Sequence, residues 1–193
     1  PFVESPLPPI VVKVEAEDPG TGKRRLATYA YLAFVAVDEN VRPRPIKVKI
    51  EPADEEELAL YKSALRRRVA RRKRLIDRKK KVNDTSDPTI GLRWRLESPR
   101  AVFPEDTFIG NIMFAGKLLM MIDEAAGILA SRYARGVVVT AGIDALDFYA
   151  PIRVGEAVKL MIGLNYVGRT SMELGVKVVS EDLLTGEEKH TCT

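Results

Sequence analysis

A chain of 193 residues, 46% hydrophobic and 30% charged, has room for one large domain or for a domain with an appendage. It contains no run of about 18 apolar residues, so nothing is expected to span a membrane, and PFVESPLPPI lacks the basic region and apolar core of a signal peptide. One cysteine, Cys192, and one histidine, His190, exclude an internal disulfide and leave a His/Cys metal site almost without ligands. No metal or separate cofactor is therefore expected, and a cytoplasmic location is. The net charge of +4 is a misleading average: residues 66–81 hold eleven Lys or Arg against the single Asp77, so the rest of the chain is net acidic.

In chain order, residues 11–17 (VVKVEAE) alternate like a strand, Asp18-Pro19-Gly20-Thr21-Gly22 is turn chemistry, and residues 23–38 read as a second, longer strand. Arg42-Pro43-Arg44-Pro45 forces extended backbone. Residues 52–81 predict a helix with Asp54 as N-cap, Glu55, Glu56 and Glu57 in its first turn and its basic residues toward the C-terminus, a gradient that complements the helix dipole. Leu58, Tyr61, Leu65 and Val69 give it a thin apolar stripe, enough to dock its first half. The basic run invites a nucleic-acid reading, but no aromatic residue is interleaved to stack on bases, and a solvated helix is the simpler account. Residues 82–91 are a polar linker and residues 92–98 a short strand carrying Trp94.

The stretch 106–150 organises the remainder. Phe114, Leu118, Met121, Ile122, Ala125 and Leu129 recur at spacings of three and four, predicting a helix over 113–133. Asp123 and Glu124 interrupt its apolar surface. Gly127 costs about 1 kcal/mol relative to Ala in a helix interior, so close approach of a ligand or a second backbone is a reason for it. Strands are predicted over 137–149, 156–167 and 171–181, with a last strand after Thr185-Gly186. His190 is expected on a surface, and Cys192, near the chain end, is given no catalytic role.

The blocks Asp106-Thr107, Phe114-Ala115-Gly116-Lys117, Met121 to Gly127, Val138-Val139-Thr140-Ala141, Asp147-Phe148, Pro151 to Glu156 and Gly168 to Glu173 stand in this order. Together they resemble the hotdog-fold acyl-CoA thioesterases of the cytosolic acyl-CoA hydrolase type. The resemblance implies an α+β fold, an antiparallel sheet wrapped around a long central helix, and an oligomer of paired hotdog units, a dimer or a trimer of dimers. It implies hydrolysis of acyl-CoA to free fatty acid and CoA, with CoA entering only as part of the substrate. Asp123 would act as general base or as nucleophile, with Glu124 beside it, and the turn at Ala115 and Gly116 would polarise the carbonyl. Where the family carries Asn two residues after Asp106 this chain has Phe108, and Asn111 is the nearest amide. Thr140 would offer backbone to the pantetheine arm, and Arg169, Thr170 and Ser171 would meet phosphate or pantetheine. The rival readings are a hotdog hydratase or dehydratase, disfavoured by the absence of a His near the helix, and a noncatalytic acyl-thioester or nucleic-acid binding module.

Residues 11–29 and 175–193 are alike: Val12, Lys13, Val14, Glu17, Asp18, Thr21 and Gly22 recur as Val176, Lys177, Val178, Glu181, Asp182, Thr185 and Gly186. Residues 1–53 are therefore expected to be the C-terminal half of one hotdog unit, 54–91 the basic helix and linker, and 92–193 the N-terminal and central part of a second. A tandem pair is the favoured organisation, and a circular permutation, with residues 23–38 supplying a missing strand, is the alternative.

Overall fold

The computed structural model describes residues 10–40 and 42–193, so the proline-rich opening lies outside the described residues. The chain divides into two compact units, Pro1–Arg74 and Leu75–Thr193.

In the first unit β1 (Ile10–Glu17) and β2 (Arg24–Leu32) form an antiparallel hairpin. β2 stops six residues short of the predicted strand end. β1 begins at Ile10 opposite Leu32, and no ladder partner for the residues past Leu32 occurs among the described residues. After a stretch in which Val37 and Pro43 bridge antiparallel, α1 (Glu55–Arg74) begins where Asp54 Oδ1 accepts the Glu57 N–H at 2.8 Å and Glu57 Oε2 accepts the Ala53 N–H at 2.8 Å. Its apolar stripe is only partly covered: Leu58, Leu65 and Val69 are exposed, Tyr61 is half-buried, Ala64 is buried, and the Arg67 guanidinium lies 3.6 Å over the Tyr31 ring of β2. The predicted single helix over 52–81 is in fact broken. Asp77 takes a left-handed φ of 65°, which a helix cannot propagate, and a separate short helix, α2 (Arg78–Val82), follows it.

The second unit holds a four-stranded antiparallel sheet in the order β3 (Arg95–Ala101), β6 (Glu156–Val167), β7 (Met172–Asp182), β8 (Glu188–Cys192). Between β3 and β6 come a small hairpin, β4 (Thr107–Ile109) with β5 (Ile112–Met113), and the long helix α3 (Ala115–Ala134). Leu118, Ile122, Ala125 and Leu129, one stripe of α3, pack with Val158, Leu160 and Ile162 of β6, Val178 of β7 and Cys192 of β8. The helix ends where Arg135 adopts φ 54° and donates its N–H to the Ser131 carbonyl at 2.9 Å.

Three expectations are corrected here. Residues 137–146 have no regular secondary structure and join no ladder among the described residues, and Val137 and Val139 are 98% and 84% exposed. β-branched sequence favours a strand, but a ladder also needs a neighbour with free N–H and C=O groups. β8 and the residue after it offer these only opposite Asp147 and Tyr149, whose N–H groups reach the Thr193 and Thr191 carbonyls at 2.8 Å each. His190 is buried rather than superficial, because β8 has α2 against it as well as β7 beside it; Cys192 is buried too. His190 contacts the Lys81 carbonyl through Nδ1 at 3.0 Å and the Cys192 carbonyl through Nε2 at 3.0 Å. Finally, a Cβ built on Gly127 meets nothing within 4 Å, so no second backbone among the described residues explains that glycine, which leaves the ligand.

The internal repeat extends to atomic detail. Val14 pairs with Thr28 as Val178 does with Cys192, Glu15 with Leu26 as Val179 with His190, and Glu17 with Arg24 as Glu181 with Glu188; both hairpins slip register at the same step. Asp18 Oδ1 accepts the Gly20 and Thr21 N–H groups as Asp182 Oδ1 accepts those of Leu184 and Thr185, and Gly22 and Gly186 take φ 67° and 71°. The surroundings differ. Val178 is fully buried beneath α3, whereas Val14, its counterpart, is 43% exposed.

Candidate active site

The residues around α3 define the site. Gly110 (φ 62°) and Asn111 (φ 58°) make the left-handed two-residue turn of the β4–β5 hairpin, the conformation Asn and Gly tolerate best. This turn aims Phe108 outward, 76% exposed, with its ring 5.9 Å from that of Phe114. Phe114 is the N-cap of α3 but supplies no side-chain cap. Its own N–H goes to the Asp106 carbonyl at 2.8 Å, and its carbonyl accepts from Lys117 (2.9 Å) and Leu118 (3.4 Å). Among the described residues, that leaves the N–H groups of Ala115 and Gly116 without an acceptor, at the end of the helix where the dipole is positive. Gly116 has a local reason to be glycine. A Cβ there would lie 2.6 Å from the Phe114 ring.

Asp123 lies seven residues past Gly116, two turns along the same face and about 10 Å further by helix rise. It is exposed, and its Oδ1 accepts the Thr140 hydroxyl at 2.6 Å, a charge-assisted bond that holds the carboxylate in one orientation. Met120 and Gly127 flank it on that face, Met120 being 67% exposed. The structure thus brings Asp123 and Thr140 together and sets Ala115, Gly116 and Asp123 on one helix. Glu124 is exposed one residue round, with no ion pair among the described residues. Asn111 serves the turn: its carbonyl accepts the Val154 N–H at 3.1 Å, and its side-chain amide makes no hydrogen bond among the described residues. Arg169, Thr170 and Ser171 form the exposed β6–β7 turn, closed by the Gly168 N–H on the Ser171 carbonyl at 2.8 Å.

Sequence reasoning assigned Thr140 its backbone and missed its hydroxyl. The residue lies in an apolar run, and no local pattern points its side chain at a residue seventeen positions earlier. The Arg100–Asp106 ion pair beneath the helix start was missed as well. No group of three or more His, Cys, Asp or Glu arranged to hold a metal ion occurs among the described residues.

An antiparallel sheet with one long helix packed on its face is the hotdog fold, and this chain carries a carboxylate halfway along that helix. Residues 110–187 match the family model of the Thioesterase superfamily. It is 38% identical over 108 residues, 56% of this chain and 59% of the relative, to Protein VdlD of Helicobacter pylori (strain ATCC 700392 / 26695). It is 45% identical over 92 residues, 48% of this chain and 54% of the relative, to the uncharacterized acyl-CoA thioester hydrolase YkhA of Bacillus subtilis (strain 168). The chain thus spans little more than half the length of these relatives. Among solved structures, an apo-hexameric acyl-CoA thioesterase superposes with a TM-score of 0.50 at 44% identity, covering 52% of this chain and 64% of that one.

Proposed function

We propose that the protein hydrolyses acyl-CoA thioesters to free acid and CoA, with Asp123 as the general base. The observation that carries this reading is the Asp123 carboxylate, oriented by the Thr140 hydroxyl at 2.6 Å, on the helix face that begins with the free amides of Ala115 and Gly116. The relatives' names and the superposed thioesterase support the substrate class.

The spacing bears on how Asp123 works. The Gly116 amide and Asp123 lie about 10 Å apart along the helix, too far for the carboxylate itself to attack a carbonyl held at that amide, so Asp123 is assigned to activate a water molecule. Asp123 takes a proton from that water as its oxygen bonds to the thioester carbon, and the oxyanion is held by the two N–H groups. Collapse of the tetrahedral intermediate breaks the C–S bond, and the CoA thiolate leaves with the proton returned from Asp123. The acyl chain runs past Met120 and the open space at Gly127. Arg169, Thr170 and Ser171 meet the CoA phosphates or pantetheine.

The matched hairpins support a second hotdog domain in the whole protein, of which β1–β2 is a part, and the functional assembly is an oligomer of paired hotdog units. A cytoplasmic location suits the free, buried Cys192 thiol. The test is release of CoA thiol from acyl-CoA substrates by wild type and by Asp123→Ala.

A further inference from the structure

Asp106 is 1% exposed, and the hydrolytic reading gives it no role. Burying a carboxylate is costly unless every oxygen is bonded, and here every oxygen is. Arg100 Nη2 donates to Oδ1 at 3.0 Å and to Oδ2 at 3.2 Å, and the Phe103 N–H donates to Oδ2 at 3.1 Å. The main-chain carbonyl of Asp106 receives the Phe114 N–H at 2.8 Å. The same Arg100 guanidinium reaches Met121 Sδ on the second turn of α3, at 3.3 Å through Nη1. One ion pair therefore ties β3, the turn before β4 and the first two turns of α3 together.

This arrangement has a directional consequence. Phe114 adopts φ −68° and ψ 126°, and those angles set where the next two amides point. No side-chain cap anchors Phe114; its N–H bond to Asp106 does. We propose that Asp106, clamped by Arg100, is a positioning residue that fixes the Ala115 and Gly116 N–H groups relative to Asp123. The assignment rests on the thioesterase reading and deepens it. Asp106 touches no substrate and acts through the backbone of Phe114.

The test is Asp106→Asn in the full chain, which keeps an acceptor for the Phe103 N–H but can turn an amide N–H toward Arg100. The expected result is a kcat lower by about tenfold with KM changed less than twofold, the signature of misplaced rather than missing groups. Hydrogen exchange at the Phe114, Lys117 and Leu118 amides accelerates by about tenfold, while Leu129, in the third turn beyond, keeps its protection. Ile162→Val, in the β6 core, is the control: it lowers Tm without changing kcat. Arg100→Gln, should Asp106→Asn not fold, is expected to show the same pattern more weakly. Acceleration spread uniformly along α3, unchanged exchange at Phe114, or a kcat loss matched by the Ile162→Val control would overturn the proposal. If wild type releases no CoA, the hydrolytic reading falls, and exchange confined to the turn still decides whether Asp106 anchors it.

Discussion

At the scale of the residue, burial decides which of the reactive side chains is available. Burial, with the nearby Asp147 charge adding to it, pushes the Cys192 thiol up to about 12. The thiolate fraction at pH 8 is then negligible, since each unit of pKa above the pH lowers it tenfold. A chromogenic disulfide reagent at pH 8 is expected to leave the native protein unlabelled and to titrate one thiol on unfolding in guanidinium; rapid labelling of the native protein would contradict the burial. Asp123 stands in the opposite situation, exposed and aimed by Thr140. It stood out as a candidate in the sequence because an acid in an apolar helix demands a reason. The contact of the Thr140 hydroxyl did not, because a contact across a loop leaves no periodic trace.

Elements show the same division between local and long-range information. The three-and-four spacing of Leu118, Ile122, Ala125 and Leu129 located α3 to within two residues, and the alternation of β6 and β7 located those strands. The stretch 137–146 misled because its β-branched residues state a propensity, while it meets no ladder partner among the described residues. Gly127 separates the two influences as well. Since a Cβ there meets nothing within 4 Å, Gly127→Ala is expected to stabilise the protein by about 1 kcal/mol, read as a rise in Tm. It is also expected to raise KM for long-chain acyl-CoA, because the methyl enters the space given to the chain. A fall in Tm would mean that something covers this glycine in the assembly.

The docking of α2 depends on His190. Burial chiefly, with the Lys177 charge, holds its imidazole below the ordinary value of 6.5, against the bonds to the Lys81 and Cys192 carbonyls and the charge of Asp84. Tyr149 packs edge-on against the ring at 4.8 Å. The sign follows from that lowered value. Below pH 6.5 the unfolded chain takes up a proton that the folded chain resists, so the stability present above this pH is lost as the pH falls toward the folded value. Thermal unfolding followed by circular dichroism should show Tm falling between pH 7 and pH 5.5. His190→Gln should flatten that slope while lowering Tm at pH 7.5. An unchanged slope in the variant would assign the pH dependence to other groups.

At the scale of the whole molecule, two hairpins share register, bulge and turn yet differ in what covers them. The repeat was legible because Asp18, Thr21 and Gly22 perform the same turn chemistry as Asp182, Thr185 and Gly186. What sequence could not show was the unequal burial of Val14 and Val178. A two-stranded hairpin alone is marginally stable in water, whereas β7–β8 lies in a four-stranded sheet under a helix. In this 193-residue chain, exchange is expected to be at least about a hundredfold faster in β1–β2 than in β7–β8. Equal protection would mean that β1–β2 is already covered.

The central claim is that Asp123 activates water against an acyl-CoA thioester. Its most direct test is the rate of CoA thiol release from a panel of acyl-CoAs by wild type, Asp123→Ala and Thr140→Val. The account predicts turnover by wild type, loss of at least about a hundredfold in Asp123→Ala, and about tenfold in Thr140→Val, the size expected for one hydrogen bond to a charged group. Turnover that survives Asp123→Ala with the helix intact would contradict it and move the chemistry to another carboxylate.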